Sequence, residues 1–276
     1  MNETTPDIPE IRLTDGDLVK IRTTAHSINL ADSALSLTYG TAEQKKLASV
    51  SDRMFRMAGD DDTTEIGDRM NALIRELRDF SSVQQRRGPF AWLFRRRDRK
   101  NLHERYESAV ENTDAIAAQL ENHRNRLLRD FVLLGKLYDS VVEQYRELTV
   151  LIEAGQRKLD DDTSAEKELR ERFEKRLHDL KLSRMVCMQT LTQIRVLKGC
   201  NTALSEKIQS LLTDTIALWK NQTALALAVK NTGQAMENLR TANGTMIDAL
   251  EEVNSAEDRI RLETAAAEKT APSREE

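Results

Sequence analysis

Residues 101–158 read NLHERYESAVENTDAIAAQLENHRNRLLRDFVLLGKLYDSVVEQYRELTVLIEAGQRK. Within them Leu102, Tyr106, Ala109, Thr113, Ile116, Leu120, His123, Leu127, Asp130, Leu134, Leu137, Val141, Gln144, Leu148 and Leu151 recur in steps of four and three. On a helix such steps fall along one stripe, and a stripe of this kind packs against a second helix. One of the two alternating series is nearly all apolar, and polar residues are confined to the other. A helix running through Lys158 would be about 85 Å long at a rise of 1.5 Å per residue. The segment GQRKLDDDTSAE (155–166) follows. Gly155 permits a stop, and Thr163 with Glu166 has the spacing of a capping box for a new helix. Phe173, Leu177, Leu180, Cys187, Leu191 and Ile194 then resume the same steps. The pattern predicts an all-α fold: an elongated helical bundle built on a long antiparallel coiled-coil hairpin that turns near residue 160.

The composition agrees. The chain has 276 residues, 39% hydrophobic, only 4% aromatic and 32% charged, the profile of long helices rather than of a compact mixed core. Of its four prolines none lies between Pro89 and Pro272. Proline costs about 3 kcal/mol inside a helix, so its absence there permits very long ones. A formal net charge of −4 is too small to suggest a polyanion-binding protein. Cys187 and Cys200 are the only cysteines, and on one continuous helix they stand about 20 Å apart. That is too far for a disulfide or a shared metal, and a reducing cytosol suits them. MNETTPDIPEIRL has neither the basic start nor the apolar core of a secretory signal, and the longest apolar stretch, 223–229, is far short of a membrane span. A cytoplasmic protein is expected, soluble or peripheral at the inner face of the membrane.

Outward from the hairpin the chain divides into five segments. Residues 1–14 read as a flexible terminus and 15–83 as short helices at 17–37, 42–58 and 64–82, with breaks at Gly40 and at the acidic run 59–62. That run lacks the alternating ligands and glutamate of a calcium loop and reads as a helix cap. Residues 84–100 form a basic–aromatic junction, 101–262 the hairpin and its bundle, and 263–276 a disordered tail.

Two groups of residues are candidate sites. The junction QQRRGPFAWLFRRRDRK sets Phe90, Trp92 and Phe94 among arginines that include Arg95, Arg96 and Arg97. Aromatics flanked by arginine suit the headgroup region of an anionic membrane or an acidic partner protein. They equally suit a junction whose rings pack on the bundle while its arginines stay solvated. The second group lies in 172–229, a proline-free stretch with polar residues on nearly every side, as in a helix that touches several neighbours. Arg184 and Arg195 fall on the stripe of Phe173, Leu177, Leu180 and Leu191, with Lys198 close by. Cations in an apolar seam need counter-charges. A turn near 160 places Asp130 on the opposing arm, and its pairing with Arg184 or Arg195 is expected to set the register. The same arginines are candidates for an oxyanion site. Gln189, Gln193, Gln209, Asn221 and Gln222 either bond between helices or face a partner.

No catalytic or cofactor-binding residue is assigned. Phosphate loops, nucleophile elbows and Cys–His arrangements are missing from the sequence. His26, His103, His123 and His178 have no second ligand at the spacing of a zinc site, and neither cysteine has a resolving partner for thiol chemistry. Met54, Met57, Met185 and Met188 read as core fillers. One short basic patch in an acidic chain does not make a nucleic-acid-binding protein. Self-association is compatible with the bundle.

Several blocks carry a family resemblance: HDLKLSRM (178–185), MQTxxQIR (188–195) and EKIQSxxxxTIxLWKNQxALAL (206–227), the last containing Trp219. With YGTAEQKKLASVSDRM (39–54) and HRNRLLRDFVLLGKLYD (123–139), they resemble the TelA/KlaA toxic anion resistance proteins over roughly 32–229. The resemblance implies an extended all-helical, non-enzymatic protein tied to tellurite resistance or envelope stress, and no catalytic residues to carry over. Such proteins often have proline where this chain has Ala217, which implies a kink before Trp219 that this chain lacks. Their loop between hairpin arms is often longer, and they continue through a further long helical region beyond the point matching Val229.

Overall fold

The stepped apolar pattern lies on one 67-residue helix, α5 (Arg95–Asp161), and its continuation on the 44-residue α6 (Lys167–Ser210). The computed structural model describes residues 11–32, 34–58, 62–85, 95–162, 165–228 and 233–270. Before the long pair come α1 (Asp15–Ser27), α2 (Leu35–Thr38), α3 (Thr41–Ala58) and α4 (Asp62–Gln85). After it come a π-helical turn (Leu211–Thr215), α7 (Ile216–Ala228) and α8 (Gly233–Thr270). Among the described residues there is no strand, and the fold is all-α.

The seam read from the sequence is the buried one. Tyr106, Ala109, Ile116, Leu120, Leu127, Leu134, Leu137, Val141 and Leu148 of α5 are buried, as are Phe173, Leu177, Leu180, Cys187, Leu191 and Ile194 of α6. Its buried threonines turn inward on their own helix: Thr113 Oγ1 donates to the Ala109 carbonyl at 2.7 Å and Thr190 Oγ1 to that of Val186 at 2.9 Å.

The structure corrects the sequence reading at four places. The first predicted helix, 17–37, ends at Ser27. Asn29 Oδ1 accepts from the Ala31 amide at 3.1 Å and Asp32 Oδ1 from the Ala34 amide at 2.9 Å, so side chains supply the bonds a continuing helix would have made. Gly155 is no stop: it is buried inside α5, where a Cβ would lie 2.5 Å from Leu177 Cδ2. Its role is close approach. The helix ends at Asp161, where Arg170 of α6 donates to the carbonyls of Leu159, at 2.9 Å, and Asp162. The predicted capping threonine, Thr163, lies outside the described residues. At the chain ends, Thr14 and Asp17 form a capping box on α1, Ile11 and Leu13 pack on the core, and α8 runs on to Thr270 through an alanine-rich segment of high helix propensity.

The chain folds as two units, 1–59 with 132–198 and 263–276, and 60–131 with 199–262. These boundaries do not follow the linear segments 15–83 and 101–262. In the first unit Leu177 packs on Gly155, Arg184 on Tyr145, Arg195 on Tyr138, and Lys198 Nζ approaches Gly135. Rising numbers on α6 meet falling numbers on α5, which makes the hairpin antiparallel. Helices α1 and α3 complete this core through Ile21, Leu47, Val50 and Met54. In the second unit α4, α7 and α8 surround the remaining parts of α5 and α6, with Met70, Leu77, Trp219, Met246 and Leu250 at the centre.

Candidate functional site

The first unit is tied together at Arg176, on the half-buried flank of the α6 seam. Its Nε donates to the Tyr39 carbonyl at 2.8 Å, and one terminal nitrogen reaches Thr41 Oγ1 at 3.1 Å and Gln44 Oε1 at 2.6 Å. Gln44 passes the network on to Ser183 Oγ at 2.8 Å. The Tyr39 ring stands edge-on to Phe173 at 5.2 Å, and its hydroxyl donates to the Leu151 carbonyl at 2.7 Å. Gly40 makes the corner possible: φ is 73°, and a Cβ there would sit 2.6 Å from Leu180 Cδ2. The block YGTAEQ is thus the hook by which α2 and α3 hold the hairpin. Sequence reasoning flagged Gly40 and the block but missed Arg176, because its partners lie more than 130 residues away in the chain.

The predicted arginine seam has a different construction from the one expected. Arg184 and Arg195 are half-buried, and each lays its guanidinium over a tyrosine of α5, at 5.9 Å from the Tyr145 centroid and 5.7 Å from that of Tyr138. Because the turn lies between Asp161 and Lys167 rather than near 160, these tyrosines stand opposite. Tyr138 is already about 12 Å along the helix axis from Asp130, which is itself half-buried. A cation over an aromatic face is attracted by the ring while its edge stays open to further partners. The two arginines are also about 16 Å apart along α6, too far to grip one small anion together. On the other side of α6 Gln189 is exposed and Gln193 half-buried. The same outer face of α6 shows Leu182 and Met185, 49% and 61% exposed.

The remaining members of the predicted polar group belong to the second unit. Trp219 is wholly buried, and its Nε1 donates to Asn243 Oδ1 of α8 at 2.8 Å. Asn243 is itself buried, and Thr223 Oγ1 closes on the Trp219 carbonyl at 2.8 Å. Asn221 is exposed and Gln222 half-buried, and the neighbouring Lys220 pairs with Asp114 of α5. Trp219 is therefore an anchor for α7 on α8 rather than part of an anion site. The π turn just before it shows that the helix is irregular here even with Ala217 in place of proline. Beside that turn an open groove of about 400 Å³ is lined by Glu206, Lys207, Ser210, Leu211, Thr215 and Glu252, among others. Its one cation, Lys207, is held by Glu252 at 2.6 Å, so its two carboxylates make it unfavourable for an oxyanion.

Phe90, Trp92 and Phe94 lie outside the described residues, and of Arg95, Arg96 and Arg97 only the helical backbone is described. Among the described residues no group of three or more His, Cys, Asp or Glu could hold a metal ion, and no helix is long and apolar enough to cross a membrane. Burial pushes the Cys187 thiol up to about 12, which removes it as a nucleophile near neutral pH. One pairing went unread in the sequence: His123, at a seam step of α5, meets Glu257 of α8 in the core of the second unit, Nε2 to Oε1 3.4 Å.

The sequence profile of the toxic anion resistance protein TelA matches residues 21–271. The chain belongs to the TelA family. The match extends beyond 32–229 at both ends and takes in α8, so the helical region after Val229 is part of the likeness. TelA-like proteins of staphylococci are similar over most of their length. One from Staphylococcus saprophyticus is 28% identical over 262 residues, covering 85% of this chain and 70% of the relative. One from Staphylococcus aureus is 30% identical over 271 residues (88% and 72%), and one from Staphylococcus epidermidis 29% over 288 (93% and 76%). No solved structure matches.

Proposed function

We propose that this TelA family member acts in toxic anion resistance as a non-enzymatic helical scaffold that works by docking, on a partner protein or an anionic membrane surface. The observation that carries this reading is how its polar side chains are used. Arg176 ties α2 and α3 to the hairpin, Arg184 and Arg195 join its two arms, and Trp219 holds α7 to α8, while Leu182, Met185 and Gln189 stand outward on one face of α6. Apolar side chains exposed at helical spacing beside a polar one are what a partner helix packs on. The alternative, direct oxyanion capture by the Arg184–Arg195 seam, is disfavoured by their separation and by their stacking on tyrosines.

The test is tellurite tolerance of a deletion strain carrying the wild-type gene or Met185→Glu, at equal protein levels. Met185→Glu is expected to fold normally and to fail to restore tolerance, and full restoration overturns the docking role of this face. Flotation with anionic liposomes separates the two docking modes. Salt-sensitive flotation lost in Trp92→Ala assigns the membrane, and its absence assigns a protein partner. A thermal shift with millimolar tellurite that disappears in Arg195→Ala would instead establish direct anion binding.

A further inference from the structure

His123 and Glu257 are two titratable groups in a place where apolar residues would ordinarily pack. Their side chains are only 7% and 5% exposed, and the surrounding cluster includes Leu120, Leu127 and Val253. Oε1 of Glu257 accepts no hydrogen bond, so its contact with the ring is electrostatic. From α8 itself Arg261 favours the ionised carboxylate and Asp258 opposes it. From α4, Asn71 is engaged with Asn254, and from α6, Lys207 is engaged with Glu252, more than a turn away. An isolated charge in such a core is costly, whereas a pair of zero net charge is tolerated. One proton between the two groups gives zero net charge, whichever of them carries it. Two protons leave a buried positive charge and none leaves a negative one.

We propose that His123 and Glu257 share a single proton and form a pH-operated clasp between α5 and α8, closed while the proton is held and loosened when it is lost. Lys207–Glu252, Arg78–Glu251 and Asn254–Asn71 also tie this half of α8, but at the surface, where such contacts have little strength. The clasp is a buried polar tie, and its release frees the segment bearing Val253, Ala256 and Ile260 from the core. Burial pushes the Glu257 carboxyl from its ordinary 4.5 up to about 7. A carboxyl raised on folding contributes stability that is whole below its unfolded value and is lost as pH rises through the folded one. The loosening therefore belongs to the rise through neutral pH.

Hydrogen exchange on the full chain between pH 6 and 8.5, corrected for intrinsic base catalysis, tests this. Amides of residues 250–262 are expected to lose protection as pH rises towards about 7, by at most about tenfold per pH unit, the limit for one proton, and to level off above it. Residues 172–198 are expected to keep theirs, and Glu257→Gln to abolish the pH dependence. Constant protection at 250–262 in the wild type, or an equal decline in Glu257→Gln, overturns the proposal. A measurement on the wild type alone avoids dependence on that variant's folding. Carbon-13 resonances of the Glu257 carboxyl and the His123 ring should move through one common midpoint near neutrality. Titration of Glu257 in the ordinary carboxylate range refutes the shared proton.

Discussion

Replacing Arg176 by alanine removes the tie between the YGTAEQ hook and the hairpin. Three bonds go at once, to the Tyr39 carbonyl, Thr41 Oγ1 and Gln44 Oε1, at 2.8, 3.1 and 2.6 Å. Hydrogen bonds from a charged donor are worth about 1.5–3 kcal/mol each when buried. Arg176 is only half-buried, so water takes over part of that role, and the two longer bonds sit at the lower end. The expected loss is about 2–4 kcal/mol, or roughly 3–7 °C in Tm for a chain of this size. Lysine preserves the charge and loses the fork, so Arg176→Lys recovers about one bond of the three and falls between. The assay is urea unfolding of wild type, Arg176→Ala and Arg176→Lys, with hydrogen exchange to locate the loss in α2 and α3. A loss below about 0.5 kcal/mol, the range of an ordinary surface change, would refute the reasoning. So would an Arg176→Lys variant as stable as the wild type.

Gly40→Ala meets two penalties, a left-handed backbone at φ 73° and a Cβ 2.6 Å from Leu180 Cδ2, and is expected to cost about 2–4 kcal/mol in a thermal melt. Trp219→Phe strands the buried Asn243 amide and is expected to cost about 1–3 kcal/mol, part of which Trp219→Phe with Asn243→Leu recovers in chemical denaturation. Thiol labelling at pH 8 followed by mass spectrometry should modify half-buried Cys200 well before Cys187, and equal rates would contradict the buried, high-pKa thiol.

The periodicity that made α5 and α6 readable is a local property: each residue's place on a helix face follows from its number alone. So the seam from Tyr106 to Leu148, its resumption from Phe173 to Ile194 and the all-α class were legible before any coordinates. Which residue opposes which was not legible. Antiparallel register depends on where the turn falls, and a turn a few residues later than expected put Tyr145 and Tyr138 under Arg184 and Arg195. Gly155 shows the same limit: its missing Cβ is equally suited to ending a helix and to admitting a neighbour, and only Leu177 decides between them. Helical spacing likewise cannot name a partner on another helix, which hid the grip of Arg176 on Tyr39 and the meeting of His123 with Glu257. The sequence by itself determined the helices and the faces they bury, because those follow from hydrophobic period and the absence of proline. Only the tertiary structure decided which polar groups share a buried space, because burial and charge pairing depend on residues far apart in the chain and close in space.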